Sequence, residues 1–362
     1  MALDLQSALR ECLSDEPVPT RASGIEIRLD LLPAGGMPVQ PPSYEGDLEI
    51  HERHIDGQRR QVIELDSVGS AANRLEEVLL ALDRAGRYPL PVSGTTVEPS
   101  NGEPIEITTL EMPHRAFDAW LRLSAADGDG KKFEDSERGR ELSLAHAGAL
   151  DPLLETSAHD LLLGVWDSHR KGPHGQVRIG RSLTTSLIGL DPIEQSRIAA
   201  RRDPLNLGEA SDLPKGVKKL SEQGLSSIPP QRDRGGVAIT EARYIGFLSF
   251  AALRRLGFER YDPVGARVLL ASLGLYALLL RCASGWDLRA RCALVASDDP
   301  SLTLVGPRGS RETLWLSVED AESLFTDSVE KAAVVDRSVH LRAGETLNDL
   351  VDKAIASATA GD

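Results

Sequence analysis

Apolar and polar residues change their spacing several times along this chain of 362 residues. Residues 3–13 place Leu3, Leu5, Leu9, Cys12 and Leu13 at helical spacing, which predicts a short amphipathic helix. IEIRLDLL (25–32) alternates apolar with charged residues and predicts a half-buried strand ending at Pro33. The Pro- and Gly-rich PAGGMPVQPPSYEG after it predicts a long loop. QVIELD (61–66) predicts another strand. Ser67 or Ser70 then caps a helix from Ala71 to about Ala85, whose Ala71, Leu75, Val78, Leu79 and Leu82 share one face.

Residues 86–150 are less regular, with a helix predicted near 114–123 and the charged DGDGKKFEDSERGRE predicted as a solvated loop. HDLLLGVWD (159–167) predicts a buried strand, followed by a basic, glycine-rich loop with Ser182 as the start of a helix beyond it. Residues 203–236 predict a long excursion. ITEARYIGFLSFAALRRLGF (239–258) begins as strand and becomes helix, and DPVGARVLLASLGLYALLLRCA (262–283) predicts a buried helix. DLRARCALVA (287–296) predicts a strand with Arg289 and Arg291 on its polar side. Ser317 caps a helix to about Ala333, and Glu345 to Ala358 predicts a last amphipathic helix. Interleaved strands and helices with no clean break predict one α+β domain over 1–362. It carries insertions at about 86–158 and 197–238 and a helical C-terminal portion at about 317–358.

Composition sharpens this picture. With 41% hydrophobic and 27% charged residues the chain has the makings of a large core, and 4% aromatics make that core aliphatic. Few rings also argue against RNA binding built on stacking platforms. Cys12, Cys282 and Cys292 are odd in number and form no C-x-x-C pair, which suits a reducing compartment. MALDLQSALREC lacks the basic start of a signal peptide. The most apolar window, 268–280, lies between Arg267 and Arg281 and falls short of the roughly 20 residues of a membrane span. The expectation is a soluble, cytoplasmic protein with no membrane partner.

The formal charge of -14 argues against nucleic acid, but its distribution does not. Residues 165–260 hold sixteen Lys/Arg against ten Asp/Glu, a net of +6 that leaves -20 for the rest.

Signatures of common chemistry are missing. The chain has no phosphate-binding P-loop, no G-x-S-x-G elbow and no dinucleotide-binding glycine spacing after a strand. His51/His54 and His169/His174 lack a third ligand in a defined frame, so neither a metal nor a cofactor is expected. What remains are basic residues at turns and helix starts. In VWDSHRKGPHGQVRIGRSLTTSLIG (165–189), Lys171, Arg178 and Arg181 surround glycines whose backbone N–H groups can approach phosphate. Most such loops are simply solvated. Asn73 and Arg74 fall in the first turns of a helix, where the dipole favours an anion, and His114 and Arg115 follow Pro113 at another helix start. Arg243, Arg289 and Arg291 project from strand-like segments, where a solvated face is the default.

Six blocks occur here in one order: DSVGSAANRLEEV (66–78), TTLEMPHRAFDAW (108–120), LLETSAHDLLLGVWDS (153–168), GRSLTTSLIGLDP (180–192), GGVAITEARYIGFLSFAALRRLGF (235–258) and DPVGARVLLASLGLYALLLRCASGWDLRARCALV (262–295). The order resembles that of the CRISPR-associated RAMP protein of type I-G (formerly I-U) systems, the Cas-seven backbone subunit of that Cascade-like complex. The resemblance implies a modified RRM-like, ferredoxin-type palm with inserted finger and thumb. It implies several copies head to tail along a CRISPR guide RNA, which reads target DNA by pairing. It further implies other Cascade subunits as partners (a large subunit and a fused Cas-five/Cas-six type subunit) and a separate helicase-nuclease that cleaves. No catalytic residue is then expected. Asn73, Arg74, His114, Arg115, Lys171, Arg178 and Arg181 become candidate guide contacts, with Arg243, Arg289 and Arg291 second. LSSIPPQRDRGG (225–236) departs from the family's G-N-I-P-P-like element, which puts a backbone-specific role of that loop in doubt. Two other readings stand: a RAMP endoribonuclease using His114, His169 or His174, and an α+β metabolic enzyme without a cofactor signature.

Overall fold

The computed structural model describes residues 2–16, 21–42, 48–100, 102–125, 131–169, 175–205 and 227–360. In chain order they form α1 (Ala2–Leu13), β1 (Gly24–Pro33), β2 (Ile50–Ile55), β3 (Gln58–Asp66), α2 (Val68–Arg84), β4 (Gly94–Val97), β5 (Ile105–Thr108), α3 (Ala119–Arg122), α4 (Glu137–Ser143), α5 (Asp151–Leu154) and α6 (His159–Leu163). They continue as β6 (Val165–Trp166), β7 (Arg178–Ile179), β8 (Leu183–Leu190), β9 (Ile193–Arg201), β10 (Ile228–Ala238), β11 (Ala242–Ser249), α7 (Phe250–Leu253) and α8 (Pro263–Ala283). The chain closes with β12 (Trp286–Asp287), β13 (Ala293–Ala296), β14 (Ser301–Val305), β15 (Arg311–Leu314), α9 (Val318–Ala332), β16 (His340–Arg342) and α10 (Glu345–Ala360).

Strand β1 is the hub of the main sheet. One edge pairs antiparallel with β11, from Gly24 opposite Ser249 to Leu31 opposite Ala242. The other edge is divided between β14 at residues 24–28 and β13 at residues 31–33. Because strand side chains alternate, the sequence pattern of β1 sorts its faces. Ile25, Ile27, Leu29 and Leu31 are each 2% exposed or less, while Glu26, Arg28 and Asp30 turn the other way. The sheet path runs β12-β13-β1-β11-β8-β3-β2, with β14 and β15 alongside. Without the insertions, the chain order β1-α2-β8-β11-α8-β14 gives the spatial order β14-β1-β11-β8, an α+β arrangement of two β-α-β units.

The helices cover one face. α8 has 21 residues and is buried along most of its length, with α1, α2, α6 and α9 packed against it. It is longer than the apolar window on which the sequence reading rested, and by length and composition it is sufficient to cross a membrane. Its most apolar stretch is 78% buried inside the fold, as expected of a core helix. Asp262 caps it by accepting the N–H groups of Val264 and Gly265, and Ser67 caps α2 from Ser70.

Several sequence expectations are corrected. HDLLLGVWD is the helix α6 followed by the short β6, and the segment after Ser182 is the strand β8. The flanks of the basic loop are therefore the paired short strands β6 and β7, with α6 before them and β8 after. Within the charged run, Phe133 is 3% exposed and Ser136 caps α4, so its described residues are not a solvated loop. Arg289 and Arg291 sit in a turn between β12 and β13 rather than along a strand, and Arg291 has φ 64°. Two hairpins were unforeseen. β2 and β3 join through Asp56-Gly57, both at positive φ, a strong two-residue hairpin signal. β9 and β10 pair across the excursion, whose residues 206–226 lie outside the described residues.

Gly246 sets how closely β11 lies between its neighbours. A Cβ there would stand 2.6 Å from Thr185 Cγ2 and 2.8 Å from Ile27 Cγ2. Gly246→Ala is expected to lower unfolding free energy in urea by about 1–3 kcal/mol through overpacking. An unchanged midpoint would mean that the sheet gives way at this point.

Candidate nucleic-acid interface

Four of the sequence-selected residues converge on one cleft. His114, Arg115, Arg178 and Arg181 line a cavity of about 310 Å³ together with Pro113, Leu163, Gly164, Val165, Trp166, Ile179 and Gly180. β6 and β7 pair as Val165–Ile179 and Trp166–Arg178, which sets Arg178 and Trp166 side by side. The Arg178 guanidinium lies 5.5 Å from the centroid of the Trp166 ring, within cation–π range, and Trp166 is 50% exposed. His114, Arg178 and Arg181 are exposed. Partial burial and then the positive charge of Arg115 hold Arg181 below the usual arginine range, with Glu76 opposing.

Glycine is required at 164. Its φ of 85° is left-handed, and a Cβ would stand 2.9 Å from Arg181 Cγ. The bend ends α6, starts β6 and lets Arg181 pass close to the backbone.

Arg115 has a different task from that expected. It is 8% exposed, and its guanidinium donates to both carboxylate oxygens of Glu76 at 2.6 and 3.2 Å and to the Gly164 carbonyl at 2.9 Å. Its φ of 51° is rare for a bulky residue and is held by these three bonds. Burial raises the Glu76 carboxyl despite Arg115. Beside this pair, Asp160 accepts from Ser157 Oγ at 2.6 Å and from the Ala116 N–H at 3.1 Å. Burial raises Asp160 to about 7, against the pull of Arg115, Ser157 and Ala116 and with a push from Glu76. Burial, then Arg115, pushes His159 down to about 3, so it is neutral at Ser157 Oγ, 3.2 Å away.

The remaining selected residues lie elsewhere. Arg74 donates to Asp66 at 2.9 Å and to the Leu288 carbonyl at 3.0 Å, and Arg289 donates to the Leu65 carbonyl at 2.8 Å. Both are joints between α2, β3 and the β12–β13 turn, because a guanidinium satisfies several carbonyls at once. Arg291 donates to Gln40 Oε1 at 2.6 Å. Arg243 is 5% exposed and paired with Asp30, Asp56 and Glu241. It is neutralised and is no free cation on a solvated face. Asn73 is exposed on α2, outside the cleft lining. Lys171 and His174 lie outside the described residues. His51 accepts from Arg53 Nε at 2.9 Å, and no metal-holding group of acids, cysteines and histidines exists among the described residues.

A larger open cavity of about 680 Å³ lies on the uncovered sheet face. Its cations are all paired: Arg28 with Asp30, Arg243 as above and Arg311 with Glu26. Of these two cavities, the smaller has arginines and no carboxylate in its lining. Sequence reasoning missed Trp166, whose signal is a tryptophan just before a basic loop.

Residues 25–193, just under half of the chain, match the family model described as CRISPR-associated protein GSU0053. The matched segment includes every lining residue of the cleft. No curated protein matches. Among solved structures, the crystal structure of Thermofilum pendens Csc2 aligns over 96% of this chain and 82% of its own at 10% identity, with a TM-score of 0.33. The family match supports a CRISPR-associated protein.

Asp160 gives the cleft's support a pH signature. Its unfolded value is about 3.9 and its folded value about 7, so folding takes up a proton between them. Stability is expected to fall as pH rises from about 4 to about 7 and to level above. Asp160→Asn should lose that component of the slope in denaturant titrations at several pH values. Parallel curves for the two proteins would contradict it.

Proposed function

We propose that the protein is a non-catalytic subunit that binds CRISPR guide RNA and forms the backbone of a type I-G Cascade-like complex. The observation that carries this reading is the cleft itself. In a chain of charge -14, Arg178, Arg181 and His114 present exposed donors around one concave site, inside the segment matched to a CRISPR-associated family. Phosphate contacts of this kind position a strand without reading its sequence, which leaves recognition to pairing between guide and target DNA. The arrangement β14-β1-β11-β8 with α2 and α8 supports an RRM-like palm, and the β9–β10 hairpin is the natural thumb. Copies of the chain then assemble head to tail along the guide, in the cytoplasm, with a large subunit, a fused Cas-five/Cas-six type subunit and a recruited helicase-nuclease.

Exposure of His114 in the cleft favours one alternative, a RAMP endoribonuclease. His114→Ala would then abolish RNA cleavage and leave binding intact.

For the backbone reading, binding of mature-length guide RNA is measured across salt concentrations. Each phosphate contact on a single strand contributes a slope of about 0.7 in log affinity against log salt. Arg178→Ala with Arg181→Ala should reduce the slope by about 1.4 and weaken binding by about 10- to 100-fold. Arg243→Gln should lower stability and leave the slope unchanged. An unaltered slope in the double variant, or no RNA binding at low salt, would overturn the assignment.

A further inference from the structure

The low aromatic content, 4% of the chain, argues against RNA binding built on stacking platforms. Trp166 departs from that expectation. It is half exposed in the wall of the basic cleft, and Arg178 lies against its ring. Val165 and Ile179 beside it belong to the main hydrophobic cluster, and Trp166 is not among the described residues that form or pack against that cluster. Its backbone register is fixed by the pairing of β6 with β7.

We propose that Trp166 stacks on one nucleobase of a single-stranded RNA whose flanking phosphates are held by Arg178 and Arg181. This rests on the guide-RNA reading and deepens it, because it assigns the cleft a base as well as a backbone. The chemistry is that of an indole with a cation on it. The ring is half exposed with the guanidinium 5.5 Å from its centroid, and every base offers a π-face that an indole can stack on. The cavity, about 310 Å³, is at the lower end of ligand-sized sites, so it holds one nucleotide and not a run. Gly180 in the lining has open space where a Cβ would stand, so a base edge can approach the backbone there. The inference makes the contact tolerant of sequence, as a subunit repeated along one guide requires.

Fluorescence tests it directly. Trp315, 79% exposed, is replaced by Phe to give a background, with Trp286 buried and Trp120 half-buried. A mixed-sequence RNA and inorganic polyphosphate, which carries the charge without bases, are titrated at constant ionic strength. RNA should quench Trp166 emission and polyphosphate should not. Trp166→Leu should weaken RNA binding by about 5- to 100-fold, the range for loss of one base stack. It should leave polyphosphate affinity within about twofold, and Trp166→Phe should recover part of the RNA affinity. RNA binding without quenching, and with Trp166→Leu binding as tightly as the background, overturns the stacking site and leaves the guide-RNA reading standing. No RNA binding by the background protein overturns both.

Discussion

A buried ion pair between Arg115 and Glu76 holds the cleft together. Glu76 lies on α2, Arg115 opens the turn after Pro113, and the third bond of the guanidinium reaches the carbonyl of Gly164 at the end of α6. Three segments far apart in sequence therefore meet at one planar group. Breaking such a pair by removing one partner costs about 3–5 kcal/mol, since the other charge is left in an apolar setting. Here the pair also holds Arg115 at a positive φ and fixes the bend at Gly164, past which Arg181 runs. The exposed cations of the cleft owe their placement to a cation that is itself inaccessible.

That division of labour reconciles an acidic protein with a basic site. Six of the candidate arginines fall into two groups. Arg74, Arg115, Arg243 and Arg289 are locked to carboxylates or carbonyls inside the fold, where the planar guanidinium joins several elements. Arg178 and Arg181 stand at the rim, and Arg178 rests on Trp166. The sheet's open face has a larger cavity, but its charges cancel in pairs, so it offers an anion no net attraction. Local charge, and not the formal total, is what a phosphate meets.

Much of the fold was legible because single segments announce it. The alternation of IEIRLDLL places β1 and its buried face, the Ser67 cap starts α2, and the apolar run within 263–283 marks a helix that the fold buries. HDLLL was misread because a run of three leucines has no measurable period, and the bend that ends it depends on a left-handed glycine. The arginines were harder to judge. Arg115 and Glu76 are 39 residues apart, and no local pattern distinguishes an arginine that will be buried against such a partner from one that will face solvent. The basic loop drew attention to Arg178 and Arg181. Its tryptophan did not, because one exposed ring looks like a core residue until the strand pairing is known.

The central claim is that nucleic acid lies in this cleft and not on the open sheet face. Photocrosslinking of a 4-thiouridine guide RNA to the assembled complex, followed by mass spectrometry of the linked peptides, tests it most directly. Crosslinks are expected in the peptides that contain His114, Trp166 and Arg178 to Arg181. Crosslinks confined to the face formed by Thr184, Phe247 and Thr303, with none at the cleft, would contradict the account.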